Sequence, residues 1–584
     1  MISIKQAKKV IVGILYTLAA ISLSPAQSWK FGVMADTQWS RDDGRNPGSC
    51  AVDIVKAINK EFIKRKVDFV IEVGDLVDKT GNTAESVANS EDIRAAFAQE
   101  LYNAGIGFFP VRGNHDSHPL AAAEFKRIYP QTQNGTMNVT PSNVFAAANP
   151  DAAVQPFPTP AGQPFTLGAN FNSPDPTTTG GLDWTGLSYA FNYKNARFVL
   201  LDQFAPANRD AAKKQDLTID LQQSWIDTTL AQKPAEGHAF VFAHKGIISE
   251  QHVDNLFGSD PSQNPSGQDA FIIALYKNGV RYYIQGHDHM HNRALVSISG
   301  GSPTDGVSPK VENIICASDS HKFYTPNFPA NDDKFNVAAF GHRRQAQVSQ
   351  DLHKIGFYIF TVDGPRVTGK YYAALVPNAA PAEKCNKPSP EMCEYMAPTT
   401  PPLTFKKAET FGYSLNGKEF QVCQAGQDKC NSSYTQIADN YKGTAMKILG
   451  GTNGSTAQDF DKRSFLKTVN TGWSDKSPAI ASNILTLWGM ADLGQKHTDT
   501  YALSLTYTAG GSDSAKDALV LTTKGEHGKW IDAVDHNEGG SKKFVDGPWK
   551  ASYPLGTYGI DRKTKAVWAV VNYDGDFAVA HAAE

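Results

Sequence analysis

Three shortages narrow the reading of this 584-residue chain before any motif is considered. Positive charge is not in excess: 56 Lys and Arg stand against 59 Asp and Glu, a net charge of −3. A general grip on nucleic acid needs a basic face, so that class is set aside, although a nucleotide held through metal ions is not. Long apolar runs are scarce. One opens the chain, from Val10 to about Leu23, behind Lys5, Lys8 and Lys9 and ahead of Ser24-Pro25-Ala26. A charged start, a short apolar stretch and small residues read as a secretory signal peptide over residues 1–26, with a retained anchor as the alternative. No later segment reads as membrane-spanning, so the mature chain is expected without a span, in a secreted or periplasmic setting. Cysteine is the third shortage: Cys50, Cys316, Cys385, Cys393, Cys423 and Cys430, none at zinc-finger spacing. An even set in an exported chain suggests disulfides. Close spacing favours Cys385 with Cys393 and Cys423 with Cys430, leaving Cys50 and Cys316 to pair or stay free.

What the chain does have is a repeated device. Val67 to Val73 is an apolar run that ends in Gly74-Asp75, with Asp78 three residues further on. Such a run bounded by Gly reads as a buried strand. Trp29 to Ala35 runs into Asp36-Thr37-Gln38, and Ile106 to Val111 into Gly113-Asn114-His115-Asp116. Ala239 to Ala243 runs into His244, and Arg281 to Gln285 into Gly286-His287-Asp288-His289. If these strands lie parallel, their carboxyl ends meet at the edge where open α/β sheets bind ligands. Hard oxygen donors mixed with imidazoles suit divalent first-row cations.

Helices are expected between the strands, over Asp53 to Lys66 and after Ser90 as N-cap, with Ile93, Phe97 and Leu101 as the second stripe. That alternation predicts right-handed crossovers and a largely parallel sheet. Residues 119–183 break the rhythm and read as an insertion, a flap beside the site or a surface decoration. A hairpin is expected at Lys194-Asn195, and helices near Leu217 to Leu230 and Asp269 to Asn278. Further strands are expected at Val311 to Ala317, Phe357 to Val362 and Val367 to Tyr372, with a second sheet facing the first. A Pro-rich linker over 377–402 divides a catalytic domain, 27–376, from a C-terminal unit, 403–584. There, short strand-like runs between turns suggest an all-β sandwich. Its tryptophans, Trp488, Trp530, Trp549 and Trp568, read as core, with a glycan or cell-surface contact as the other use.

Together the first-domain motifs resemble the calcineurin-like metallophosphoesterases, over roughly residues 28 to 375. The resemblance implies a four-layer α/β/β/α sandwich, here followed by the C-terminal β-sandwich, and a two-metal site. It implies that Asp36, Gln38, Asp75 and His289 surround one metal, and that Asp75, Asn114, His244 and His287 surround the other. A bridging hydroxide would then attack phosphorus in line, His115 would assist the leaving oxygen and Asp78 would orient His115. His118 and His291 match no ligand position and read as rim residues. His321, His342, Arg343 and Arg344 read as an exposed polar loop, or as phosphate contacts.

One position departs from the family's common Asp-x-His: here it is Asp36-x-Gln38. An amide oxygen suits a hard cation better than zinc, so Mn²⁺ is favoured, with Mg²⁺, Zn²⁺ or Fe as the other candidates. The expected substrate is a phosphorylated small molecule or nucleotide. The alternatives are a nucleotide pyrophosphatase or phosphodiesterase branch, and a non-catalytic surface-binding protein with a degenerate metal site.

Overall fold

The computed structural model describes residues 28–38, 50–78, 83–117, 119–129, 131–134, 170–204, 219–258, 264–324, 326, 344–375, 395–396, 402–421, 437–452, 466–477, 479–508, 519–525 and 528–581. The expected signal peptide, most of the Pro-rich linker, His118, His342, Arg343 and four of the cysteines lie outside them. Cys50 and Cys316 are described, and both are free and buried.

The first sheet is built on β1 (Trp29–Met34), β2 (Phe69–Val73) and β3 (Gly107–Val111), which pair in parallel. Between them run helices α1 (Val52–Arg65) and α2 (Ala84–Asn103). The second helix begins at Ala84, so Ser90 lies inside it and is not its cap. Helix α3 (Pro119–Ile128) follows β3 and buries Ala122, Phe125 and Ile128 against the same outer face of the sheet. The stretch read as the start of a flap thus carries a helix packed on the sheet, with Gln131 and Thr132 buried behind it, and residues 135–169 lie outside the description.

The second sheet starts with the hairpin β4 (Tyr189–Tyr193) and β5 (Ala196–Leu201), turned at Lys194-Asn195 as expected. Strands β6 (His238–Ala243) and β7 (Tyr282–Gln285) add in parallel, with α4 (Gln223–Ala231) and α5 (Pro265–Lys277) on the outside. Strand β8 (His291–Ser297) runs antiparallel to β9 (Lys310–Ile315), which lies parallel to β7. The inner faces of the two sheets pack directly. Phe31, Phe69 and Phe109 from the first meet Phe191, Phe198, Phe240 and Phe242 from the second in one buried cluster. Aromatic contacts of this kind, such as Phe31 against Phe240 with ring centroids 5.0 Å apart, add to simple area burial. The result is the four-layer α/β/β/α sandwich expected.

Antiparallel strands Lys354–Asp363 and Arg366–Leu375 extend the first sheet beyond β1. Strand Lys406–Ser414, placed in the C-terminal unit on sequence, pairs with Arg366–Leu375 instead. The first sheet therefore reaches past the expected boundary at 403. Beyond it, two six-stranded sheets enclose a core that includes Trp473, Leu485, Leu503, Val567 and Phe577, an all-β sandwich. Trp488 and Trp568 are buried, and Trp530 and Trp549 are half-buried. Arg366 fastens the sandwich to the first sheet, donating to Thr486 Oγ1 at 2.6 Å.

Candidate metal centre

The parallel strands of both sheets deliver their downstream residues to one edge, and the loops there are tied across the sheets. The Asp36 amide donates to the Gly74 carbonyl at 3.1 Å, and the Gly286 amide to the His244 carbonyl at 3.0 Å. The His287 amide donates to both Asp36 oxygens, at 2.9 and 3.1 Å. The backbone turns sharply where each chain segment leaves its strand. Gly74 has φ 91°, and Asp36, Asp75, His287 and His289 have φ 56°, 53°, 76° and 46°. Left-handed backbone at non-glycine residues costs about 1–3 kcal/mol each and clusters at functional sites. Here it swings each side chain back over the strand ends.

Two groups of acidic and imidazole ligand atoms result, each within 4.8 Å: Asp36, Asp75 and His289, and Asp75, His244 and His287. Asp75 belongs to both. Asn114 Oδ1 joins the second group, 2.9 Å from His244 Nε2. Gln38 joins the first, with its amide nitrogen 2.9 Å from Asp75 Oδ2 and 3.1 Å from His289 Nε2. The seven candidate ligands expected from the sequence are thus brought to one place.

The donor chemistry fits a pair of cations. His244 Nδ1 donates to the Val73 carbonyl at 3.0 Å, which leaves Nε2 facing Asp75 Oδ1 at 3.3 Å and Asn114 Oδ1. His289 Nδ1 faces the Lys322 carbonyl at 3.0 Å and Ser318 Oγ at 3.1 Å, which leaves Nε2 for the group. Fixing one ring nitrogen so that the other points at a site is the usual support of a metal-binding imidazole. Gln38 Oε1 and His287 Nε2 are buried without a hydrogen-bond partner. Exchange of oxygen for nitrogen in the Gln38 amide would turn Oε1 into the group.

The electrostatics show what a cation would relieve. Burial pushes Asp36 well above the usual carboxylate range, and neighbouring Asp75 adds to the rise. Burial would raise Asp75 also, but His244 and His115 hold it well below its ordinary value. Burial disfavours the charged form of His244, yet Asp75 outweighs this and pushes the imidazole up to about 9. His287 is pushed down to about 3 by burial and by His252 beside it.

Over this cluster stands His115. Its amide donates to Asp75 Oδ1 at 2.8 Å, and its Nδ1 lies 2.6 Å from Asp78 Oδ1. With Nδ1 turned to Asp78, Nε2 is the atom turned to the site, 3.9 Å from Asp75 Oδ2. Asp116 holds the loops from behind, accepting from the amides of Leu76, Val77 and Gly113 at 2.9, 3.0 and 3.0 Å.

Other residues depart from their expected places. His291 is not on the rim: it is fully buried, bonded to Tyr358, Ser349 and Glu409, because the inward side of β8 takes it. His321 and Arg344 are buried too, and Arg344 is spent on the Ser297 carbonyl and Asp269. Two residues near the site carried no role in the sequence reading. Asp288 binds the loop at Glu250–His252, and His252 stacks on His287 with ring centroids 4.0 Å apart. The Gly-His-Asp-His run marked Asp288 as present; nothing in the sequence around His252 marked it.

A family model described as calcineurin-like phosphoesterase matches residues 30–291. No match is found among curated proteins. Similar solved structures include one described as PhoD, 12% identical, with 67% of this chain and 70% of that chain covered at a TM-score of 0.40. Another is a dimetal phosphatase from Danio rerio, 15% identical, covering 60% of this chain and 96% of that one at a TM-score of 0.32. A purple acid phosphatase from yellow lupin seeds is 13% identical, covering 59% and 51% at a TM-score of 0.32.

Proposed function

We propose, on the premise that the chain belongs through residues 30–291 to the calcineurin-like phosphoesterases, that it is an exported phosphoric-ester hydrolase working with two divalent cations. The observation that carries the reading is the pair of ligand groups sharing Asp75, with the His115–Asp78 pair standing over them. In this reading Asp36, Gln38, Asp75 and His289 hold one cation, and Asp75, Asn114, His244 and His287 the other. Bound there, two divalent cations supply Lewis acidity toward a phosphoryl oxygen and activation of water. The carboxamide of Gln38, a hard donor where the family commonly has imidazole, supports Mn²⁺ or Mg²⁺ at the first position.

The chain's own residues account for the rest. His115 acts as an imidazolium that gives its Nε2 proton to the leaving oxygen; Asp75 and Asp78 favour that charged ring, and Asp78, bound at Nδ1, fixes its aim. A binding protein with a vestigial metal site has no use for this pair, which holds no ligand position. The Lys5, Lys8 and Lys9 segment with its apolar run supports export. None of the described helices is long and apolar enough to cross a membrane.

The test uses the full chain reconstituted with Mn²⁺ and assayed on p-nitrophenyl phosphate, bis-p-nitrophenyl phosphate and ADP-ribose. Turnover of the first assigns a monoesterase, and of the second or third a phosphodiesterase or pyrophosphatase. His115→Ala is expected to lower kcat by about 10²–10⁴-fold with metal content kept, the range for loss of a general acid. A fully metal-loaded protein that turns over none of the three refutes the proposal.

A further inference from the structure

One sheet of the C-terminal sandwich carries a groove on its outer face. Its strands run in the order Ile437–Tyr441, Thr444–Gly451, Tyr501–Thr506, Ala566–Val571, Thr557–Asp561 and Lys543–Asp546. Alternation along them sends Met446, Leu503, Leu505 and Val567 into the core. The residues next to these face the other way. Register lines them up in one row across five strands: Ala438, Lys447, Ser504, Trp568 and Gly559.

Two indoles line this groove, whose volume of about 350 Å³ lies in the range of ligand pockets, about 300–1,000 Å³. Trp568 is fixed: its Nε1 donates to the Gly547 carbonyl at 2.8 Å, and Tyr553 stacks on it with ring centroids 5.5 Å apart at 9°. Trp549 is half-buried, and its Nε1 finds no acceptor. Both rings lie over glycines. A Cβ on Gly450 would come 2.5 Å from Trp549 Cη2, and one on Gly559 2.6 Å from Trp568 Cζ2. The floor is small or hydroxylic. Ser504 lines it at only 7% exposure, and its hydroxyl bonds to no described residue. Lys447 stands exposed in the same row and enters no ion pair among the described residues.

These features select an occupant. A peptide that adds as a strand needs a free edge, and each of the three strands under the groove's floor is paired on both sides. An acyl chain needs an apolar floor, and this one carries an ammonium and an unsatisfied hydroxyl. Nucleic acid needs a basic face, and here one lysine is offset by Asp561. A sugar ring presents C–H groups on its faces and hydroxyls around its rim, which matches an indole beside hydroxyl and ammonium donors. We infer that the groove binds a neutral saccharide chain, with Trp549 stacked on a sugar ring and Ser504 and Lys447 bonded to its hydroxyls. The inference goes beyond the hydrolase reading and does not depend on it.

The experiment runs the full chain, as wild type, Trp549→Ala and Ser504→Ala, through native gels cast with hydroxyethyl cellulose, laminarin, galactomannan or polygalacturonate. Affinity for each retarding polymer and the melting point of each protein are measured. Wild type is expected to be retarded by at least one of the three neutral polymers. Trp549→Ala is expected to weaken that binding about tenfold or more, the loss of a stacked ring. Ser504→Ala is expected to weaken it about three- to tenfold, the loss of one hydrogen bond, with a melting point near that of wild type. Retardation by no neutral polymer overturns the inference, as does retardation by polygalacturonate alone or a Trp549→Ala protein that binds like wild type. Should Trp549→Ala fail to fold, Ser504→Ala and Lys447→Ala decide it, with full affinity in both counting against the groove.

Discussion

Gly113 offers a direct test of how tightly the metal centre is built. A Cβ at this position would lie 2.0 Å from Asp75 Oδ1 and 2.2 Å from Asp75 N. Ordinary contact is about 3.5–4.0 Å, so either loop must give by more than about 1 Å. Rotation of the Asp75 carboxylate would relieve only the first contact, since the second is to backbone. That backbone is held by the Gln38 amide on the Asp75 carbonyl at 3.0 Å and by Asp116 on the amides of Leu76 and Val77. Asp75 Oδ1 also carries the His115 amide at 2.8 Å, so any shift moves Asp75 and His115 together. Overpacking of this kind costs about 1–3 kcal/mol, and a 1 Å misplacement at a reacting centre can cost about 10²-fold in rate. Gly113→Ala is therefore expected to lose bound Mn²⁺ after dialysis and at least about 10²-fold in kcat/KM, while the melting point falls modestly. Gly300→Ala is the control, since nothing lies within 4 Å of a Cβ built there. If Gly113→Ala keeps two ions per chain and kcat/KM within about threefold of wild type, the reasoning about the Asp75 loop is wrong.

Two further predictions concern stability. Beneath the site, Arg94 Nη2 donates to Glu72 Oε2 at 2.6 Å with both side chains fully buried, and Thr37 donates to the other oxygen at 2.5 Å. Arg94→Met leaves a buried carboxyl without its cation and is expected to cost about 3–5 kcal/mol in chemical denaturation; adding Glu72→Gln should recover part of it. A double variant no better than the single one would refute this account of the pair. His238, at the opposite end of β6 from His244, sits between the Gly364 carbonyl at 2.9 Å and Tyr413 Oη at 3.1 Å, and burial pushes it down to about 4. A histidine depressed in the folded state contributes its full stability above its unfolded value of about 6.5 and loses it as pH falls toward 4. The loss reaches about 2 kcal/mol at pH 5, so the stability gap between wild type and His238→Gln should narrow by that amount from pH 7.5 to 5. An unchanged gap in urea titrations at the two pH values would show that His238 titrates normally.

The residues that meet at the candidate metal centre are more legible in the sequence than the scaffold around them, and the reason is physical. A cation accepts few donor types, and a strand that must present one to a shared edge ends in an apolar run followed by Asp, Asn or His. Asp36, Asp75, Asn114, His244 and His287 all carry that double mark. The hairpin at Lys194-Asn195 is legible for the same reason, since a turn is a local event. Helix α3 was missed although Pro119 opens it and Phe125 and Ile128 share a face, because the Ala- and Asn-rich surroundings hid a short stripe. The start of α2 falls seven residues before the one that Ser90 as N-cap implies, since no apolar stripe marks the chain ahead of Ile93.

What no local pattern can carry is the direction in which a residue turns once the strand has ended. His291 reads like a neighbour of His289, yet His289 sits in a left-handed turn while His291 opens strand β8 and faces inward to Glu409 and Tyr358. Asp288, between two candidate ligands, carries no role in the sequence reading; its oxygens face four donors on another loop. Strand Lys406–Ser414 pairs with Arg366–Leu375 across a Pro-rich stretch that gives no sign of the partner. The left-handed backbone at Asp36, Asp75, His287 and His289 belongs with these. None of the four is a glycine, so sequence propensity argues against the turn at each. The loops hold it because their ties to one another outweigh about 1–3 kcal/mol of strain per residue. In that balance the fold itself holds the carboxylates and imidazoles facing one another, through ties such as the His287 amide on Asp36.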